Sequence, residues 1–290
     1  MTSTLRCLAP AKINLYLHVT GRRPDGYHLL DSLVAFAGIG DWVSAAPAAA
    51  LHLTVTGPFA GAAGANEDNL VLRAARGLAA LFGVKAGAQL TLDKQLPVAA
   101  GLGGGSSDAA AALRLLLDLW RASPEPRDLD RLALSLGADL PVCLRGRPAV
   151  MTGIGEQVAP TALPPAFLVL ANPRIALSTP RVFAALAGRF SPPPPAWAPP
   201  SDLAGLVAAL AARSNDLQPA AIELVPEVGH VLDRLACLPG ALLARMSGSG
   251  ATCFALFAEA EGAKTAAAQL AAGEPGWWVA EGPLLADAWA

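Results

Sequence analysis

Four glycines crowd five positions, Gly101, Gly103, Gly104 and Gly105, and two hydroxyl residues follow them directly. The whole run is Pro97-Val98-Ala99-Ala100-Gly101-Leu102-Gly103-Gly104-Gly105-Ser106-Ser107. A loop of small residues that opens a helix is an anion site. Glycine lets the backbone approach phosphate oxygens, and the unpaired N–H groups of the first helical turn point at the anion along the positive end of the helix dipole. The hydroxyls of Ser106 and Ser107 can bond phosphate or a metal-bound water. A Walker loop would end in Gly-Lys-Ser/Thr, and this one has no lysine. A dinucleotide fingerprint counted from Gly101 and Gly103 would need a third glycine where Ser106 stands. A plain strand-to-helix turn needs fewer glycines, so a phosphate cradle without its own cation is the better account.

Phosphoryl transfer to an alcohol needs little else: a cation to balance charge and a carboxylate to orient or deprotonate the hydroxyl. Lys12 and Asn14 are two residues apart on an alternating stretch and so share one face of a strand. A lysine among apolar neighbours is costly to bury unless paired. Asp139 is equally out of place in Leu136-Gly-Ala-Asp-Leu-Pro-Val-Cys-Leu144. Each has an ordinary alternative. Most strand lysines are solvated, and an Asp after a helix end is often a turn former.

The elements that must carry these groups follow from periodicity. Ile13, Leu15, Leu17 and Val19 alternate with Lys12, Asn14, Tyr16 and His18, which predicts a strand with one apolar and one polar face. Leu51, Leu53 and Val55, and then Leu90 and Leu92, alternate likewise. Leu70, Val71, Ala74, Leu78 and Leu81 predict a helix over 66–82 with Asn66 or Asp68 as cap. Ser107–Trp120 predicts a second, with Leu113, Leu116, Leu117 and Trp120 on one side. A shorter helix over 128–136 ends at Gly137, a residue suited to a left-handed C-cap. Asp25-Gly26 signals a hairpin turn ahead of Tyr27 and His28. The apolar run 167–171 reads as a buried strand, 202–212, 226–235 and 261–272 as helices, and Arg245–Phe257 as a second glycine turn leading into a strand. The segment 191–200 (SPPPPAWAPP) cannot be regular structure, because proline lacks the donor and fixes φ. Strands and helices mix without a strict βαβ order, which indicates an α+β fold. Gly and Pro cluster over 153–165, which suggests an N-terminal domain over 1–155 and a C-terminal domain over 156–290.

Composition narrows the partners. Charged residues are 15% of the chain against roughly 25% in an ordinary soluble protein, the net charge is −2, and no basic run exists. A nucleic-acid partner is therefore excluded, since phosphates would need a basic stripe. No uncharged stretch reaches the ~20 apolar residues of a membrane span. The N-terminus shows no charged-then-apolar signal pattern. A soluble cytoplasmic protein, monomer or homodimer, is expected. Cys7, Cys143, Cys237 and Cys253 are far apart and read as buried free thiols.

Three motifs together resemble the GHMP kinases, the superfamily of galactose, homoserine, mevalonate and phosphomevalonate kinases: Pro10-Ala-Lys-Ile-Asn-Leu15, the loop Pro97–Ser107, and Ser247-Gly-Ser-Gly-Ala-Thr252. Arg23-Pro-Asp-Gly-Tyr-His28, Gly137-Ala-Asp-Leu-Pro-Val142 and Ser214-Asn-Asp-Leu217 add a resemblance to the branch that acts on a cytidine-bearing sugar alcohol in the non-mevalonate isoprenoid pathway. That resemblance implies two α+β domains with the active site in the cleft between them. It implies an ATP triphosphate on Pro97–Ser107 and Asp139 as general base for a tertiary C2 hydroxyl. Lys12 would orient Asp139 and stabilise developing charge. Asn14 would contact the substrate near the reacting hydroxyl, while Tyr27 stacks on the cytosine and His28 hydrogen-bonds it. Mg2+ would arrive bridging ATP phosphates, since no carboxylate stands out as its ligand and no protein metal site is expected. Two departures matter: Asp108 stands where some relatives have Asn, and contacts near Val182 and Phe183 lie beside the variable proline segment. The alternatives are another kinase of the superfamily, of homoserine or mevalonate type, and a non-catalytic nucleotide-binding protein.

Overall fold

The computed structural model describes residues 4–84 and 87–290. In chain order the elements are β1 (Leu5–Arg22), β2 (His28–Ala48), β3 (Leu51–Thr56), α1 (Ala60–Ala63), α2 (Leu70–Phe82), β4 (Gly87–Asp93), α3 (Gly104–Trp120), α4 (Pro126–Leu136), α5 (Leu140–Arg145), β5 (Ala149–Gly153), β6 (Gln157–Pro160), β7 (Phe167–Asn172), α6 (Thr179–Ala185), α7 (Leu203–Ala211), α8 (Leu217–Leu224), α9 (Glu227–Ala236), β8 (Leu243–Met246), β9 (Cys253–Phe257), α10 (Ala260–Gly273) and β10 (Trp278–Leu285). This is the expected α+β mixture. Among the described residues no helix is long and apolar enough to cross a membrane.

Two compact units interleave along the chain rather than meeting at one point near 153–165. The first takes the chain up to Ala11, Gly40–Val98 and Gly103–Gly146; the second takes Lys12–Ile39, Ala99–Leu102 and Arg147–Ala290. The long strands β1 and β2 thus give residues to both.

In the first unit β4 pairs antiparallel with the end of β2, from Trp42 opposite Asp93 to Ala48 opposite Gly87, and parallel with β3. Helix α2 packs on α3 and α4, and α3 packs on α5. The buried stripe of α2 is Val71, Leu72, Ala74, Ala75 and Leu78; of the expected positions Leu70 is only half-buried and Leu81, in the last turn, is exposed. Its cap is Asn69, whose side chain accepts from Val71 N at 3.0 Å, so the expected caps Asn66 and Asp68 precede the helix. At the end of α4, Gly137 has φ 166 and is extended, not left-handed. The chain there makes a turn over 137–140 that leads directly into α5, with Leu140 N–H bonding the Gly137 carbonyl at 3.1 Å.

In the second unit β7 lies between β9 and β10, both antiparallel to it, and β8 pairs with β9. β10 then reaches β2 at Leu284 opposite Ala37, and β5 pairs with both β2 and β6. Helices α9 and α10 cover β7 and β9. Their shared core includes Val169, Ala171, Val231, Phe257 and Leu270.

The polar face expected for β1 is not at the surface. Lys12, Asn14, Tyr16 and His18 are 5, 4, 1 and 9% exposed. Partners from distant sequence bury it: Ser247 and Ser32 meet Asn14, Asp216 meets His18, and the guanidinium of Arg213 lies 5.2 Å from the Tyr16 ring. The proline segment is irregular, as expected, but anchored. Ser191 N bonds Val19 O at 2.9 Å, Trp197 Nε1 donates to Thr161 Oγ1 at 3.1 Å, and Arg213 also lies 5.2 Å from the Trp197 ring. All four cysteines are free, but only Cys143 and Cys253 are buried; Cys237 is exposed, because it follows the end of α9 on the side away from the core.

Arg245 is a buried cation held by carbonyls. It donates to Leu15 O at 2.8 Å, Leu210 O at 2.9 Å and Arg213 O at 2.7 Å, and burial pushes its pKa down to about 10. Arg245→Met would leave three carbonyls without these donors. We expect a loss of about 3 kcal/mol in urea denaturation, since one unsatisfied buried group costs ~1–3 kcal/mol.

Candidate active site

The glycine run ends in a helix that starts earlier than the side-chain pattern shows, at Gly104 rather than Ser107. Its cap is Gly103, left-handed at φ 58, and a glycine has no side chain with which to fill the first amides. The N–H groups of Gly104, Gly105 and Ser106 therefore have neither an intrahelical acceptor nor a capping one. Gly105 is exposed and Ser106 half-buried. Ser107 is fully buried instead, and its hydroxyl donates to Cys143 Sγ at 3.4 Å on α5. Ser106 thus keeps partial access to solvent, and Ser107 does not. Pro97 is buried, whereas Val98 and Ala99 are exposed; Ala99 holds a positive φ of 53 without being glycine.

Behind this helix start lies a buried ion cluster that sequence reading missed. Lys94 Nζ is 2.5 Å from Asp41 Oδ2 and 2.7 Å from Asp108 Oδ2. Asp41 Oδ1 also accepts from Gln95 N at 2.6 Å and Leu96 N at 2.8 Å. The only sequence signal for it was a charge at the end of an apolar strand. Asp108 is therefore tolerated next to the loop because Lys94 is its counter-ion.

The preceding residues, Ala99–Leu102, belong to the second unit and are stitched into it. Lys12 N bonds Leu102 O at 2.9 Å, Ser247 Oγ bonds Gly101 O at 2.8 Å, and Thr252 N bonds Ala100 O at 3.1 Å. Ser247 Oγ in turn accepts from Asn14 N at 3.1 Å. The motif Ser214-Asn-Asp-Leu217 serves the same construction. Asn215 Nδ2 donates to Met246 O and Gly248 O, both at 2.8 Å, and Asp216 Oδ2 accepts from Val19 N at 2.7 Å. The second glycine turn and this motif are thus a frame that fixes the loop and β1.

Lys12, Asn14 and the Ala99–Leu102 segment are brought together in this frame. The Asn14 amide donates to Ser32 Oγ at 2.8 Å, while its Oδ1 is buried without a hydrogen-bond partner, an acceptor left open. The Lys12 side chain is buried as well. Asp139 lies in the other unit, at the N-cap position of α5, yet its half-buried side chain does not cap that helix. Its own helix touches the glycine helix through the Ser107–Cys143 contact.

Tyr27 and His28 stand where the hairpin signal puts them. Arg23 N bonds Tyr27 O at 2.7 Å across a turn with Gly26 at φ 94, and the Tyr27 side chain is 60% exposed. The His28 ring stacks on Phe183 at 4.7 Å and meets the edge of Phe190 at 6.2 Å. Burial, then the charge of Arg22, holds the His28 pKa below the ordinary histidine value. An aromatic shelf with a neutral imidazole suits a flat heterocycle. Among the described residues no group of three His, Cys, Asp or Glu side chains could hold a metal ion.

This geometry agrees with what the chain is similar to. The model for the GHMP kinases N terminal domain matches residues 69–147, and that for the GHMP kinases C terminal domain matches 201–275. The 4-diphosphocytidyl-2-C-methyl-D-erythritol kinase of Paramagnetospirillum magneticum is 57% identical over 96% of this chain and 97% of its own length. That of Rhodospirillum rubrum is 50% identical over 96% and 92%. Among solved structures, a 4-(cytidine 5'-diphospho)-2C-methyl-D-erythritol kinase aligns with a TM-score of 0.82 at 36% identity over 97% of this chain and 99% of that one. A homoserine kinase from Cytophaga hutchinsonii aligns with a TM-score of 0.72 at 19% identity over 99% and 96%, which shows the shared fold alone.

Proposed function

We infer that this chain, which belongs to the 4-diphosphocytidyl-2-C-methyl-D-erythritol kinases within the GHMP kinases, transfers the terminal phosphoryl group of ATP to the C2 hydroxyl of 4-diphosphocytidyl-2-C-methyl-D-erythritol, a step of the non-mevalonate isoprenoid route. The observation that carries the chemistry is the start of α3, where the amides of Gly104, Gly105 and Ser106 are left open. Amides fixed in that way stabilise the charge that spreads over transferring phosphoryl oxygens, and they need no reorganisation during the reaction.

The remaining roles are assigned residue by residue. Asp139 accepts the proton of the attacking hydroxyl. Lys12 supplies the positive charge that the loop lacks. Asn14, two residues from Lys12 on the same face of β1, contacts the substrate near the reacting hydroxyl. Tyr27 and Phe183 face the cytosine, and the neutral edge of His28 bonds its polar rim. Mg2+ bound with ATP would neutralise part of the phosphate charge.

The deciding experiment measures ADP release with the cytidyl substrate beside homoserine and mevalonate, with and without EDTA. Turnover on the cytidyl substrate alone, abolished by EDTA, is expected. Turnover on homoserine or mevalonate instead would overturn the substrate assignment. For the base shelf, Phe183→Ala should raise the KM of the cytidyl substrate about tenfold, since an aromatic stack contributes ~0.5–1.5 kcal/mol beyond its burial. The KM for ATP should not move. Burial holds the His28 pKa below the ordinary histidine value, so it is neutral at pH 7 and gains its proton only on the acid side of the ordinary histidine range. The substrate KM should therefore be flat from pH 8 to that point and rise below it; a rise above pH 7 would contradict a neutral His28.

A further inference from the structure

The open start of α3 poses a mechanical problem. Helix ends are ordinarily located by a side-chain cap, but a cap here would fill the amides that phosphate needs. The helix start must be held from behind instead, and the ion cluster is in that place. A Cβ built on Gly104 would stand 3.1 Å from Lys94 Nζ and 3.7 Å from Asp41 Oδ2, so the ammonium lies directly under the first residue of the helix. Lys94 follows β4, Asp41 sits on β2 and Asp108 is in the second turn of α3. One ammonium therefore ties the helix to the middle of β2 and to the residue that follows β4.

Stability alone does not explain such a cluster. Lys94, Asp41 and Asp108 are 3, 0 and 2% exposed. Removing charges from water at that depth costs several kcal/mol per ion, and apolar residues of the same volume are often as stable. The two carboxylates are also not equivalent. Asp41 is saturated by Lys94 and two backbone amides, while Asp108 Oδ1 is buried without a partner. Asp108 thus depends on a single donor, Lys94, and that bond runs from the strands to the helix. Burial pushes the Asp108 carboxyl above its ordinary range, against the pull of Lys94. Burial also disfavours the Lys94 charge, but Asp108 and Asp41 outweigh it and raise its pKa, so the ammonium persists. The arrangement gives direction at the expense of energy, as expected where a helix end has to be aimed.

We propose that Lys94 and Asp108 are positioning residues for nucleotide binding, holding the uncapped first turn of α3 so that the Gly104–Ser106 amides face the triphosphate. This rests on the assignment of the loop as the ATP site. Asp108 touches no phosphate and acts through the helix backbone.

The test is steady-state kinetics with both substrates varied, together with thermal denaturation. Asp108→Ala should raise the KM for ATP about tenfold, leaving kcat and the KM for the cytidyl substrate within threefold. Asp108→Asn keeps the shape and an acceptor for Lys94, so it should bring the ATP KM back to within threefold of the parent. Should Asp108→Ala not fold, Asp108→Leu, which fills the space and removes the acceptor, carries the same expectation. An ATP KM unchanged by loss of the acceptor would overturn the proposal. So would equal increases in both KM values that track a lowered melting temperature. Gly105→Asp is the control for the underlying assignment. That position is open, with nothing within 4 Å of an added Cβ, and the new charge would face the phosphates. Normal ATP binding by Gly105→Asp would remove the loop as the ATP site. Loss of binding there, beside an unaffected Asp108→Ala, would remove only the positioning role.

Discussion

Asp139→Asn should lower kcat by about 1,000-fold, the middle of the range for loss of a general acid–base group, while ATP binding stays within threefold of the parent. Asparagine keeps the size of the side chain and loses only the ability to take the proton. The start of α5 should not fray, because that helix has Pro141 at its second position and Asp139 makes no capping bond to it. The backbone bond from Cys143 N to Asp139 O, 3.1 Å, is untouched. ATP should still bind, since the site proposed for it is backbone of a different segment. Single-turnover phosphoryl transfer and titration with a fluorescent ATP analogue measure the two halves separately. Near-parental transfer by Asp139→Asn would remove Asp139 as the base. Loss of nucleotide binding to match the loss of transfer would mean that the residue shapes the ATP site instead.

Gly101→Ala should be nearly as damaging for a different reason. Gly101 has φ 77, a conformation that a side chain occupies at a cost of about 1–2 kcal/mol. Its added Cβ would also stand 2.3 Å from Ser247 O and 2.9 Å from Gly250 N, both backbone atoms that no rotamer change can move aside. The loop can accept alanine only by separating from the second glycine turn. That separation breaks the Ser247 Oγ to Gly101 O bond and disturbs the Thr252 N to Ala100 O bond beside it. We expect a loss of about 4 kcal/mol in denaturant unfolding, the range reached when backbone strain and a buried clash combine, and activity reduced at least 100-fold. Ser247→Ala provides the graded comparison. It removes one hydroxyl that both donates to Gly101 and accepts from Asn14, and should cost about 2 kcal/mol while the loop retains its conformation. A Gly101→Ala protein as stable and active as the parent would mean that the close approach of the two turns has no role in holding the loop.

Much of this was legible in the residues. The glycine run pointed to an open helix start, and α3 has one. The Asp25-Gly26 signal located the hairpin that carries Tyr27 and His28, the expected helices over 226–235 and 261–272 are close to α9 and α10, and Val71, Ala74 and Leu78 of α2 are buried as their spacing indicates. Boundaries went wrong where a neighbouring residue competed for the same job. Asn69 caps α2 in place of Asn66 or Asp68, and Gly137 is extended because the next helix begins almost at once. Phe183 was noted only as a doubtful neighbour of a variable segment. Nothing local tells that its ring stacks on His28, 155 residues earlier in the chain.

By itself, then, the sequence determined the chemistry available: a glycine cradle for phosphate, a lysine and an aspartate out of place among apolar residues, an aromatic turn, and the order of motifs that marks the family. Only the tertiary structure decided what surrounds each group. It buried the polar face of β1, turned the Ser107 hydroxyl inward, made Ser214–Leu217 and Ser247–Thr252 into a frame, and gave Asp108 its counter-ion. The physical reason is that periodicity reports which way a side chain points and nothing about what stands there. A charge on a strand looks the same in sequence whether water covers it or, as at Lys94, two carboxylates do.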